Sequence, residues 1–177
     1  MNQKILTVYE NFQNVSLSIF FDELILFINR YHYEFTKYVS KDYLEAMEKF
    51  EAKYFILGHS DNNFEIGISY YRNLIEQGLD KENICRQVSL LIWDLSGYMI
   101  DEICPICHDS NLRLASSIGR EKLIKFCDEC LSTEIDGKFV QTDEEILPAN
   151  RDQVNSYLRE QAPVSYTHLT LPTTERV

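Results

Sequence analysis

CPICHDS, Cys104 to Ser110, and FCDEC, Phe126 to Cys130, decide how the second half of this chain is built. Taken alone, the first stretch has three readings. C-x-x-C-H attaches a c-type haem, C-P-x-C suits a thiol redox pair, and C-x-x-C is half of a tetrahedral metal site. The second stretch separates them. Cys104-x-x-Cys107 is followed by 19 residues and then by Cys127-x-x-Cys130, the double-knuckle spacing of a zinc site. Each C-x-x-C turn brings two sulfurs to one side. A hairpin between the turns sets the knuckles face to face, so that Cys104, Cys107, Cys127 and Cys130 close a tetrahedron around one structural Zn²⁺. Haem attachment needs an oxidising compartment and leaves Cys127 and Cys130 without a role. A redox pair expects a single C-x-x-C where a strand enters a helix, whereas these flanks read as strand and hairpin. His108 is then an exposed residue after a knuckle, and Pro105 stiffens the first turn. Iron is also compatible with four thiolates and stays open beside zinc.

Working outward, NLRLASS (residues 111–117) and KLIKF (122–126) alternate as strands do, with Gly119 in the link between them. TEIDGKFV (133–140) sets Asp136-Gly137 between two short apolar arms, a two-residue hairpin signal. The expectation is a three-stranded sheet over residues 104–142. Residues 143–162 read as a linker and the start of a helix after Pro148, with Asn150 as its N-cap. CPIC, FCDEC and the Asp-Gly hairpin together resemble the zinc-ribbon modules found in many unrelated proteins, over about residues 102–142. The resemblance implies that the four cysteines are metal ligands and that the module is a rigid platform. It implies no activity, because such modules serve different roles in different hosts.

Residues 1–103 read as an α-helical bundle. Leu17, Phe20, Phe21, Leu24, Ile25, Ile28, Tyr31 and Phe35 form one apolar stripe at three- and four-residue steps. Ser40 is a candidate N-cap for a helix with the stripe Tyr43, Met47, Phe50, Tyr54 and Leu57, ended by Gly58. A looser helix runs from about Phe64 to Gly78. Asp80 then caps a last helix carrying Ile84, Val88, Leu91, Ile92, Leu95 and Met99. Lys4–Asn14 suggests a further short helix. Short connections imply antiparallel packing, and aromatics at helical spacing are read as core. Cys85 is read as a buried small hydrophobe. The fold class expected is α+β, mainly α: a helical bundle followed by a small zinc ribbon.

The tail differs. VSYTHLTLPT, Val164 to Thr173, resembles a translated sequencing adapter, and the resemblance runs on to Val177. Residues 163–177 are therefore set apart from the fold, and His168 is given no role. The expectation is a natural chain interrupted after about Ala162 and a microbial, here bacterial, source.

The 177 residues are 45% hydrophobic and 25% charged, with a net charge of −11. A core of that size needs no disulfide staples, so the five cysteines are free for other chemistry. Residues 1–103 carry 9 basic and 16 acidic groups, and residues 104–150 carry 5 and 9. Such a field repels phosphate backbones and favours basic partners. MNQKILTVYENF has too short an apolar run for an export signal. LSIFFDELILFI (17–28) is interrupted by Asp22 and Glu23 and is too short to span a bilayer. A cytoplasmic location is expected, with no membrane contact, and there paired thiols favour metal over disulfide.

Chemistry beyond the cysteines is sparse. Four thiolates leave no open coordination position for catalysis. There is no H-E-x-x-H, no G-x-S-x-G and no glycine-rich phosphate loop. His59 and Asp61 offer an acid–base pair, but a helix–helix loop with capping residues accounts for them more simply. Asp22-Glu23 and Asp101-Glu102 are adjacent carboxylates that diverge on a helix and read as solvated faces. Arg113, Arg120, Lys122 and Lys125 make a modest basic cluster, opposed by Asp128, Glu129, Glu134, Asp136 and the run 143–145. The residues thus point to a non-enzymatic protein acting through protein–protein contact, an inhibitor or immunity-type protein for a basic partner. The alternative is a regulatory zinc-ribbon protein associated with nucleic acid.

Overall fold

Short polar caps start most of the helices. In the computed structural model, which describes residues 1–58, 63–118, 122–141 and 145–161, α1 (Asn2–Asn11) buries Ile5 and Tyr9 and runs on into a 3-10 turn, Phe12–Asn14. Ser16 caps α2 (Leu17–Arg30), whose inner face carries Phe20, Phe21, Leu24, Ile25, Phe27 and Ile28. The expected single stripe from Leu17 to Phe35 breaks at Tyr31, and α3 (His32–Phe35) follows. Ser40 caps α4 (Lys41–Met47) as expected, but the helix stops eleven residues short of Gly58. Beyond it the chain folds back. Phe50 packs on Phe55 with centroids 4.7 Å apart, and Asp22 Oδ1 accepts the Ala52 amide at 2.8 Å to start the 3-10 turn Ala52–Tyr54. That side-chain acceptor satisfies a backbone donor the broken helix would otherwise leave open.

The stop and restart at QGLDKEN behave as expected. Gly78, at φ +94°, ends α5 (Asn63–Glu76). Its amide donates to Ile75 O and that of Leu79 to Leu74 O, the paired bonds of a Schellman cap. Asp80 Oδ1 then accepts from the Asn83 amide at 2.8 Å to start α6 (Lys81–Ser96). Ile84, Cys85, Val88, Ile92 and Leu95 of α6 join one continuous core with α1, α2, α4 and α5. No helix among the described residues is long and apolar enough to cross a membrane.

The sheet is larger than expected. The apolar residues through Met99 fit a helical continuation, yet α6 ends at Ser96 and the chain enters β1 (Tyr98–Ile103). β1 pairs antiparallel with β2 (Asn111–Ser117), and β3 (Leu123–Phe126), β4 (Ser132–Ile135) and β5 (Lys138–Gln141) follow in order. β6 (Ile146–Pro148), from the expected linker, pairs with Ala115–Ser117 of β2. The expected three-stranded sheet is therefore six-stranded among the described residues. Short apolar runs such as Tyr98-Met99-Ile100 satisfy helix and strand periods equally, so periodicity alone misplaces them. The hairpin is as expected: Asp136 (φ 50°) and Gly137 (φ 77°) supply the two left-handed positions that a two-residue turn needs. Asn150 does cap α7 (Arg151–Gln161). Its Oδ1 accepts from the Gln153 amide at 3.0 Å, while Gln153 Oε1 accepts from the Asn150 amide at 2.8 Å, a reciprocal capping box. The α+β, mainly α class stands.

Candidate metal centre

Two knuckles of matching geometry frame the site. In the first, between β1 and β2, the Cys104 amide donates to Ser110 O and the His108 amide to Cys104 O. In the second, between β3 and β4, the Cys127 amide donates to Ser132 O and the Leu131 amide to Cys127 O. Both place the residue after the second cysteine at positive φ, His108 at 60° and Leu131 at 58°. His108 is exposed.

The strand pairing brings the knuckles together. β2 and β3 pair from Arg113–Phe126 to Ser116–Leu123, so the segments just outside that ladder, with Cys107 and Cys127, face each other. The four sulfurs of Cys104, Cys107, Cys127 and Cys130 all lie within 4.8 Å of one another. Cys104 Sγ is 3.6 Å from Cys130 Sγ, and Cys107 Sγ is 3.6 Å from Cys127 Sγ. A tetrahedron with metal–sulfur bonds of about 2.3 Å has edges of roughly 3.8 Å, so the cluster can hold a metal ion. The soft, anionic donor set suits zinc or iron and does not suit calcium or magnesium.

Hydroxyl and amide groups crowd the sulfurs. Ser132 Oγ lies 3.0 Å from Cys130 Sγ and 3.5 Å from Cys104 Sγ, and the Ile106 amide donates to Cys104 Sγ at 3.5 Å. Taken as thiols, Cys104, Cys130 and Cys107 are shifted in different directions. At Cys104 burial pushes the pKa up, but the amides of Cys107 and Ile106 and the Ser132 hydroxyl outweigh it and bring the value down to about 6. Cys130 is also lowered, chiefly by Ser132. At Cys107 the Asp109 amide pulls downward, yet burial and the thiols of Cys127, Cys104 and Cys130 push the value up to about 12. The groups placed at the sulfurs of Cys104 and Cys130 stabilise the thiolate form that a metal ion binds.

A second cluster ties this centre to the helices, and sequence reasoning missed it. Asp128, inside the second knuckle, accepts Nε and Nη2 of Arg113 on Oδ2 at 2.9 and 2.8 Å, and Trp93 Nε1 on Oδ1 at 3.1 Å. Arg113 Nη1 donates to Trp93 O at 2.9 Å, and the guanidinium lies 4.7 Å above the Trp93 ring. Trp93 also meets Phe126 edge-on at 5.9 Å. Gly97 makes room for all this, because a Cβ there would sit 1.4 Å from Arg113 Nη1. The one available signal was an acidic residue inside a knuckle facing an arginine on an apolar strand.

Among the described residues, the basic cluster expected on the hairpin is paired with carboxylates. The Arg113 side chain is 7% exposed and held by Asp128. Lys122 pairs with Asp136 at 2.6 Å, and Lys125 with Glu102 at 2.6 Å and Glu134 at 3.5 Å. Arg120 lies outside the described residues, as do His59, Asp61, Gly119, Asp143, Glu144 and the tail from Ala162. Asp101-Glu102 sit on a strand and not on a helix, so they point to opposite faces. Asp101 is exposed, whereas Glu102 takes Lys125 and the Tyr157 hydroxyl at 2.8 Å. Asp22 is not merely a solvated charge but holds the Ala52 amide. Cys85 is fully buried on α6, and burial raises its pKa to about 11, as expected of an inert core thiol.

A cleft of about 570 Å³ opens between Phe50 and Phe55 on one side and Ser117, Pro148 and Gln153 on the other. Among the described residues, its lining contains no cysteine, histidine, aspartate or glutamate. No protein-family model matches this chain, and no curated protein or solved structure matches it either.

Proposed function

We propose that this chain is a non-enzymatic protein whose sheet is a zinc-ribbon-like platform around one structural Zn²⁺, and that it works by protein–protein contact with a basic partner. The observation that carries this reading is the closed ligand set. Four sulfurs at tetrahedral separations leave no position for water or substrate, which is the arrangement of a structural site and not of a catalytic one. Zinc held by Cys104, Cys107, Cys127 and Cys130 supplies folding energy and no reactive centre. The net charge of −11 favours a basic protein over a phosphate backbone. An inhibitor or immunity-type role in the cytoplasm, masking a basic protein such as a nuclease, fits that charge. The alternative of nucleic-acid association is weakened because Arg113, Lys122 and Lys125 are already paired with carboxylates.

The test begins with metal content and visible absorbance of the chain ending at Ala162, purified from a reducing cytosol. About one zinc per chain, colourless and lost in Cys127→Ser, supports the closed site. A folded, metal-free protein that forms a disulfide between knuckle cysteines returns the site to redox chemistry. A visible charge-transfer band assigns iron instead. For the partner, a salt-sensitive complex with a basic protein from the source cell supports the reading, and co-purification with nucleic acid alone overturns it.

A further inference from the structure

The cleft between the helices and the sheet has a lining that runs against the composition of the chain. Of the 177 residues 28 are acidic, yet among the described residues the one charged side chain lining the cleft is Lys49. Lys49 is exposed and has no carboxylate partner among the described residues. The acids nearest it in sequence, Glu48 and Glu51, are engaged by His32 and Lys53. Asn150 and Gln153 also line the cleft, and the reciprocal cap of α7 occupies the oxygen of each. What these two side chains still present is an NH2 group, which only donates. The serines of the lining, Ser116 and Ser117, carry hydroxyls that donate as readily as they accept.

The rest of the wall is apolar and partly aromatic. Phe50 and Phe55 pack with ring centroids 4.7 Å apart, and Leu147 and Pro148 line the cleft beside them. Tyr54, also in the lining, is 49% exposed. A volume of about 570 Å³ lies in the range of small-molecule sites, which pair an apolar wall with a few placed polar groups. We propose that this cleft binds a small aromatic carboxylate, its ring against Phe50 and Phe55 and its charge toward Lys49. One unpaired lysine matches one negative charge, and a set of donors matches a group that only accepts. The site goes beyond the protein-contact role proposed above and is independent of it, since neither the four cysteines nor a partner enters the cleft. The net charge of −11 opposes an anion at long range, but salt screens charges beyond about 8 Å. Affinity is modest, on the order of 0.1 mM for a ligand of two fused rings.

The test is calorimetry and amide NMR on the full chain, with naphthoate as the probe and naphthamide as its neutral counterpart. One saturable site for naphthoate is expected, with the shifted amides gathered around Phe50, Phe55, Ser117 and Gln153. Naphthamide should bind at least about fivefold more weakly, because it lacks the charge that Lys49 meets. Lys49→Gln, at an exposed position, should weaken naphthoate by a similar factor and leave naphthamide unchanged. Lys49→Arg should keep the preference for the acid. Absence of saturable naphthoate binding up to about 5 mM overturns the proposal. So does equal binding of acid and amide, or a preference that Lys49→Gln leaves intact. Weakening of both ligands alike in Lys49→Gln also overturns it, because the lysine then acts on the fold and not on the charge. Amide shifts confined to another face have the same force, since the probe has then found a different surface.

Discussion

The helical region and the sheet are held by different forces. Among the described residues, twenty buried side chains make one apolar core among the helices. Around the sheet seven do so, and two of them are Cys104 and Cys127. The helices bury enough apolar surface to outweigh the entropy of ordering them. A small sheet with so small an apolar core gains most from a staple, and a metal ion is the staple that cysteines at this spacing could hold. The contrast also explains the polar joins around the sheet, where Arg113–Asp128 and Glu102–Tyr157 occupy places that hydrophobic contacts hold among the helices. Polar joins depend on geometry more than on area, so this half should fail first and in one step.

Removing the zinc proposed for the four cysteines is the most direct way to break that comparison. Chelation, or Cys127→Ser, should unfold the sheet while α1 to α6 keep their amide protection. The effect is large, since structural zinc contributes on the order of 10 kcal/mol in small modules. Hydrogen exchange read region by region checks it, and uniform loss of protection would refute the division. Acid should act like the chelator, because protons compete with metal for thiolates; zinc release on lowering pH measures this.

Phe20→Ala is the converse experiment. It opens a cavity at a fully buried position and should cost about 3–5 kcal/mol. The helices should melt earlier while zinc stays at one per chain, as read by thermal unfolding alongside metal analysis.

Gly97→Ala probes the join between the two regions. Its methyl would overlap the Arg113 guanidinium and push it off Asp128, leaving both charges poorly paired. A loss of about 2–4 kcal/mol is expected. Double-mutant analysis with Arg113→Ala should show strong coupling, and additive effects would count against a shared cause.

The smallest effect belongs to Asp80→Ala, which removes the cap of α6. The amide of Asn83 holds the Asp80 carboxyl below its ordinary value. Its contribution is therefore present above the unfolded pKa and lost as pH falls through the lowered folded value. The mutant should melt earlier at neutral pH and match the parent in acid.

Caps and spacings were legible before any coordinates. Ser40, Gly78, Asp80 and Asn150 act locally, through side chains and φ angles within three or four residues, so their roles follow from neighbours in sequence. Element ends without such punctuation were not legible. The helix read through Leu57 stops at Met47 because Phe50 finds Phe55 and Asp22 captures the Ala52 amide. The strand at Tyr98 forms because β2 is there to pair with it. Both depend on partners distant in the chain.

The site divides in the same way. Four cysteines at two-residue and nineteen-residue intervals announce their own convergence, because a hairpin of that length can bring two knuckles face to face. Beyond an acidic residue in a knuckle and an arginine on an apolar strand, the sequence does not announce that Arg113 is buried against Asp128, or that Gly97 must lack a side chain to admit it. Local signals carry what is decided within a turn of chain: the caps, the hairpin and the two cysteine knuckles. Where the strands end, how the sheet meets the helices and which charges remain free are decided only when distant segments meet, since burial and pairing belong to no residue alone.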